Sequence, residues 1–246
     1  MNRALTIPFA TTLCAALAGL FPGLAAGDEE SVKKNIATWF GANVKVEAAR
    51  KLPVGGLYEV QVQSARGDKA LFYTDDKVSF VLDGQLIDAK SRRNLTQEQL
   101  NKLAAINFSE LPLANAVRLV RGNGRRVLAT FEDPNCGYCK KLAQELRKLD
   151  DVTVYTFIIP ILGQDSSDKS RAIWCSADRN KAWNDWITAG VQPNGGQCDT
   201  AALQKNLDLA NRYRIQGTPT MFFSNGERAP GYMVAAQIEQ RLAAVK

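Results

Sequence analysis

Apolar positions along this chain recur first at helical spacing, then in alternation, and then in short unbroken runs. Over DEESVKKNIATWFGA (28–42), Val32, Ile36, Trp39 and Phe40 share one face of a helix, with Asp28 placed to cap it and Glu29 and Glu30 at its positive end. LYEVQVQ (57–63) then alternates Tyr58, Val60 and Val62 with Glu59, Gln61 and Gln63, which predicts a strand with one wet face. KALFYT (69–74), KVSFVL (77–82) and QLIDA (85–89) are separated by Asp75-Asp76 and Asp83-Gly84, turn signals that predict two successive hairpins. Residues 27–92 therefore read as a small α+β domain of one helix and an antiparallel sheet. A unit of that size has a marginal core and gains stability by pairing, and its last strands offer an edge for a second copy.

Helical spacing returns in SRRNLTQEQLNKLAAINFSEL (91–111). Thr96 and Gln99 have capping-box spacing, and Leu100, Leu103 and Ala104 supply an apolar stripe that runs to Pro112. This is read as a linker helix over 93–114. From Arg125 the pattern changes again. RRVLATFED is a short apolar run suited to a buried strand, and GYCKKLAQELRKL follows with Leu142, Leu146 and Leu149 at helical spacing. VTVYTFIIPIL is a second buried strand; two helical stretches, the strand GTPTMFFSNG, a turn, ERAPGY and a final helix complete the chain. Strands alternating with helices, closed by a hairpin and a helix, predict an α/β or α+β sandwich over 115–246.

The N-terminus departs from all of this. Met1-Asn2-Arg3 precedes an almost uncharged apolar run, then Pro22-Gly23, then Ala25-Ala26, after which Asp28-Glu29-Glu30 restore charge. That is the layout of a cleavable export signal over residues 1–26. A membrane anchor is the alternative, but the run is short for a span of ~20 residues and is broken by Pro22 and Gly23. Loss of the signal removes Arg3 and leaves 30 Lys and Arg against 25 Asp and Glu. This mild charge, without basic runs interleaved with aromatics, excludes a nucleic-acid surface. Arg118, Arg121, Arg125 and Arg126 flank a Gly-Asn-Gly turn and read as a solvated connector.

Export changes the meaning of the cysteines. Cys14 goes with the signal, leaving Cys136, Cys139, Cys175 and Cys198, and the chain has no histidine. A zinc site would need all four as thiolates, and the 23-position gap between the last two does not fit the usual close pairs. Haem attachment would need histidine where Lys140 stands. A disulfide between Cys175 and Cys198 closes a loop large enough to stabilise the fold by about 3 kcal/mol. A bond between Cys136 and Cys139 closes a loop too small to act as a clamp, so its value lies in being made and broken. Cys136 falls where a strand ends and a helix begins, so first-turn N–H groups favour its nucleophilic form; Cys139, one turn further in, is the natural resolving thiol.

Cys136-Gly137-Tyr138-Cys139 after a strand, with Gly217-Thr218-Pro219 before a later one, resembles the thioredoxin fold. Together with CGYCKKL, RAIWCSADRNKAW and IQGTPTMFFSNGERAPGY, in that order, the mature chain resembles the DsbC/DsbG disulfide isomerase family. The resemblance implies an α+β N-terminal dimerisation domain, a linker helix and an α/β thioredoxin-like catalytic domain. It implies a structural disulfide at Cys175 and Cys198, and substrate-binding roles for Gly137, Tyr138, Thr218 and Pro219. Only ~5% of X–Pro bonds in folded proteins are cis, but the family pattern implies a cis Pro219. Gly137-Tyr138 is the dipeptide of the DsbC branch, whereas the DsbG branch has proline in the first position. Lys140 stands where family members often have histidine, which alters local charge without removing a sulfur.

The implied activity is rearrangement of incorrect disulfides in exported client proteins by a periplasmic homodimer with chaperone activity. A membrane electron donor resembling DsbD would keep the pair reduced, and no cofactor is needed because the electrons reside on the two sulfurs. The alternatives are a DsbG-like sulfenic-acid reductase, a net thiol oxidase and, from another class, a holdase that binds unfolded chains.

Overall fold

The computed structural model describes residues 26–245, so the signal-like segment 1–25 and Lys246 lie outside the described residues. The chain divides into two compact units, one ending at Gly84 and the other beginning at Gln85.

In the first unit helix α1 (Ala26–Phe40) packs on a three-stranded antiparallel sheet of order β1-β2-β3, formed by β1 (Val44–Lys51), β2 (Tyr58–Ser64) and β3 (Lys69–Thr74). Val32 and Ile36 are buried against Val46, Ala49, Tyr58, Val60 and Val62, as their helical spacing requires. Trp39, expected on the same face, is instead 61% exposed. Strand β1 was not legible in the pattern because a bulge between Val46 and Ala48 breaks its alternation. The expected wet face of β2 is not wet. Glu59 and Gln61 pair with Tyr73 and Leu71, and all four are buried.

The two hairpins expected after β3 do not form. Leu82 makes a single bridge to Tyr73, and Ile87 one to Asn94. Asp75 accepts from the Ser79 N–H at 2.7 Å and Asp88 from the Ser91 N–H at 2.7 Å. These local side-chain bonds hold turns that compete with a ladder.

The second unit opens with α2 (Leu95–Leu103). Its N-cap is Asn94, which accepts from the Gln97 N–H, rather than Thr96; Thr96 is buried and accepts from the Leu86 N–H at 2.8 Å. The helix ends at Ala104, well before Pro112, and two short 3-10 turns follow. This stretch is tied into the unit: Ile106 N–H donates to Gly226 O at 3.0 Å, and Leu111 is buried with Phe131, Phe157 and Phe222. Gly226 has a φ of +82°, and a Cβ there would lie 2.0 Å from Ile106 O, so only glycine allows this approach.

Five strands form the main sheet in the order β4-β6-β5-β7-β8: β4 (Val117–Arg121), β5 (Arg126–Glu132), β6 (Val152–Ile158), β7 (Thr220–Phe223) and β8 (Arg228–Pro230). Only β5 and β6 are parallel. The arginine cluster read as a solvated connector is built into this sheet. Arg118 and Arg121 lie on β4, Arg121 Nε donates to Leu149 O at 2.8 Å, and Arg126 on β5 forms an ion pair with Glu239.

Alternation along β5 sends Leu128 to one face and Ala129 and Phe131 to the other. Leu128 meets α3 (Gly137–Leu146) and α7 (Ala235–Ala244) through Leu142, Leu146, Ile238 and Leu242; Phe131 meets α6 (Ala201–Arg212) through Leu209 and Ala210. A third cluster joins the start of α3 to Trp174 of α4 (Gln164–Trp174) and to Trp183, Trp186 and Ile187 of α5 (Arg179–Ala189).

Candidate active site

Strand β5 is buried from Leu128 to its last residue, Glu132; Asp133 follows, and Pro134-Asn135 turns the chain into α3. Cys136 is the N-cap of that helix, and its N–H donates to Asp133 O at 3.1 Å. The residue is 7% exposed, and its thiol donates to Thr218 O at 3.2 Å; the Thr218–Pro219 bond is cis. Cys139, one turn on, is fully buried. Both sulfurs are free thiols in this structure. Tyr138 projects into solvent with Lys141 5.1 Å from its ring centroid. The structure thus brings Cys136, Thr218 and Pro219 together at the mouth of the site, with Gly137 and Tyr138 on the first turn beside them.

Two residues that the sequence reading did not assign lie directly behind the cysteines. Glu132 is buried, accepts the Thr130 hydroxyl at 2.6 Å, and lines a cavity of about 30 Å³ with Thr156, Asn180 and Asn184. Burial pushes its carboxyl up to about 7, against partial relief from the Thr130 hydroxyl and the neighbouring Cys139 and Thr156. Its coupling to Cys139 is electrostatic rather than a close hydrogen bond, since Oε2 has no partner within range. Burial, and then the Glu132 charge, push the Cys139 thiol strongly up.

Asp133 solves the same problem in the opposite way. Its Oδ1 accepts from Asn135 N–H at 2.7 Å and Ser166 Oγ at 2.8 Å, and its Oδ2 from Ile161 N–H at 2.8 Å and Leu162 N–H at 2.9 Å. A buried carboxylate with four donors is fully satisfied. Removing it with Asp133→Ala leaves those donors stranded and is expected to cost ~3 kcal/mol or more, read as a fall in the urea midpoint.

The loop is fastened from the other side by Trp186, whose Nε1–H donates to Pro134 O at 2.6 Å. The ammonium groups of Lys140 and Lys169 lie 4.7 and 4.8 Å from that ring's centroid. Lys140, which stands where histidine is frequent in the family, is thus a cation–π partner of the tryptophan. A signal for Glu132 and Asp133 was present in the sequence: two acids at the end of a largely apolar run, two residues ahead of Cys-x-x-Cys.

Cys175 and Cys198 are disulfide-bonded, with Cα atoms 5.5 Å apart. Gly195 in the loop they close packs backbone on backbone against α4, where a Cβ would fall 1.9 Å from Ala172 O.

A free Cys-x-x-Cys pair at a strand–helix junction, beside a cis-proline loop on a five-stranded mixed sheet, defines a thioredoxin-like thiol–disulfide exchange protein. Residues 113–246 match the model of a thioredoxin-like domain, and residues 23–97 match the disulfide bond isomerase protein N-terminal domain. The probable thiol:disulfide interchange protein DsbC of Bordetella parapertussis is 45% identical over 213 residues, covering 87% of this chain and 74% of that one. DsbC of Escherichia coli K12 is 27% identical over 238 residues, 92% of each chain. The crystal structure of a disulfide interchange protein from Neisseria gonorrhoeae is similar at a TM-score of 0.52 and 39% identity, over 55% of this chain and 97% of that one. The chain belongs to the DsbC family of thiol:disulfide interchange proteins and is a disulfide oxidoreductase of the isomerase type. Its N-terminal domain match supports a homodimer.

Proposed function

We propose that Cys136 is the attacking sulfur and Cys139 the resolving sulfur of a periplasmic isomerase that acts on misoxidised exported proteins. The observation that carries this is the asymmetry of the pair. Cys136 sits at the mouth on the Thr218 carbonyl, while Cys139 is sealed one turn behind it beside Glu132.

The Cys136 thiolate attacks a client disulfide, forming a mixed disulfide and releasing one client thiolate. That thiolate can return to a different sulfur and displace Cys136, which rearranges the client with no net change in electrons. Alternatively Cys139 gives its proton to ionised Glu132 and attacks Cys136, releasing a reduced client and leaving a 136–139 disulfide. That second outcome is a two-electron reduction, and a membrane donor resembling DsbD is proposed to restore the dithiol. Gly137, Tyr138, Thr218 and Pro219 are assigned to client binding because the Thr218 carbonyl meets the Cys136 sulfur, Pro219 follows it through a cis bond, and Gly137 and Tyr138 form the first turn after Cys136. Export by cleavage after residue 25 or 26 places the chemistry in the periplasm. Among the described residues no helix is long and apolar enough to cross a membrane.

Alkylation of the reduced protein at neutral pH tests the assignment of roles. Mass mapping after a brief pulse of iodoacetamide should find the label on Cys136 and none on Cys139, following their exposure. Labelling of Cys139 first would reverse the roles.

The N-terminal unit takes no part in the sulfur chemistry, so its proposed role is to pair two copies. A chain beginning at Gln85 keeps the segment that carries Ile106 and Leu111 within its unit. It is expected to sediment as a monomer and to exchange disulfides with glutathione. It should lose most of the ability to rescue a scrambled multi-disulfide protein. Full rescue by the monomer would show that dimerisation is incidental.

A further inference from the structure

The apolar run VTVYTFIIPIL does not stay in the core. Phe157, Ile158 and Ile159 are fully buried, but after Pro160 the next two side chains, Ile161 and Leu162, are 43% and 59% exposed. Single exposed aliphatic residues are ordinary. Here an adjacent pair is held still, because both backbone N–H groups end on Oδ2 of buried Asp133. The same aspartate lies three positions before Cys136 and takes the Cys136 N–H on its own carbonyl. Its other oxygen binds Asn135 N–H and Ser166 at the start of α4, and Asn135 Nδ2 reaches Asp165 and Ser166. One carboxylate therefore clamps the loop that carries the attacking sulfur to the loop that carries the exposed pair.

We propose that Asp133 is a positioning residue, and that it presents Ile161 and Leu162 beside Cys136 as an apolar lip selecting client segments with a bulky apolar residue next to the reacting cysteine. The inference rests on the thiol-exchange reading above and names which part of a client that site prefers. The occupant follows from the chemistry of the neighbourhood. Through Asp133 this rim is two hydrogen bonds from the Cys136 backbone, within reach of a client joined to that sulfur, and Lys169 on α4 is occupied by the Asp165 carboxylate and the Trp186 ring. What the lip offers is aliphatic surface. Cysteines that belong in a core have apolar neighbours in sequence, and those neighbours are exposed only while a client is misfolded. Because the lip's backbone is anchored before binding, contact with it loses little conformational freedom.

The test uses the full-length reduced protein and two disulfide-linked peptide dimers that differ only in leucine or serine on either side of the cysteine. Burial of one or two side chains corresponds to a preference of about tenfold in kcat/KM for the leucine peptide. The double variant Ile161→Ser/Leu162→Ser should bring that ratio close to one, mainly through KM. Asp133→Asn places an amide N–H against donors on one side or the other, and should lower the same ratio. Hydrogen exchange on the unaltered protein supplies a readout that needs no variant: the Ile161 and Leu162 amides should exchange slowly despite their exposed side chains. Rapid exchange of those amides, or a leucine preference kept by the double variant, would overturn the proposal. A wild type that exchanges with both peptides equally defeats this inference alone. One that exchanges with neither peptide nor with glutathione disulfide defeats the thiol-exchange reading itself.

Discussion

Replacing Cys139 by alanine is expected to trap the protein on its clients. Cys136 keeps its place at the head of α3 and on the Thr218 carbonyl, so attack and formation of the mixed disulfide continue. What disappears is a sulfur held one helical turn away, in the same buried cluster as Cys136. A positioned intramolecular nucleophile has an effective concentration far above that of any free thiol, so resolution by this route should slow by about a thousandfold or more. Release must then wait for a client thiol or an added one. Non-reducing gels of cell extracts should show new high-mass bands containing this chain. The bands should vanish when Cys136→Ala is added, and bands that persist would point to a different attacking sulfur.

The second large effect concerns the carboxyl behind that sulfur. Glu132 is held at about 7 by burial, against an ordinary value of 4.5. Below pH 4.5 the carboxyl is protonated in both folded and unfolded chains, and its burial has no ionic cost. As pH rises towards 7 the unfolded chain releases the proton and the folded one does not, so stability falls; above about 7 the loss is complete. The magnitude is about 3 kcal/mol. Glu132→Gln keeps the shape of the neutral acid and should flatten this dependence. Urea unfolding of the reduced proteins should find the two alike near pH 4 and the variant more stable by about 3 kcal/mol at pH 8. The variant has also lost the base for Cys139, so client release at pH 7 should slow by about a hundredfold. A gain in stability with unchanged release would separate Glu132 from the chemistry.

Much of the architecture was legible because it rests on spacing within short windows. The helical positions of Leu142 and Leu146, the buried runs of β5 and β6, and the sulfurs at the β5–α3 junction all follow from local pattern. So does the order of elements that marks the DsbC family. What failed locally failed for identifiable reasons. A bulge hid β1, and the Asp75 and Asp88 turns replaced two expected hairpins. Asn94 took the capping position assigned to Thr96 because the Thr96 hydroxyl was engaged by Leu86, ten residues away.

Sequence alone determined that this chain carries a Cys136–Cys139 pair at a strand–helix junction of a thioredoxin-like domain, because the spacing of two cysteines and the helix end beneath them are properties of adjacent residues. Only the tertiary structure decided what surrounds the pair. Thr218 reaches Cys136 across 82 positions, Trp186 reaches Pro134 across 52, and Asp133 gathers the amides of Ile161 and Leu162 from 28 and 29 positions away. Glu132 and Asp133 are neighbours of the same charge in the sequence. One meets a single hydroxyl donor and holds its proton to about 7, and the other meets four donors. That difference is made by partners distant in the chain, since the solvation of a buried carboxyl depends on what folding places around it.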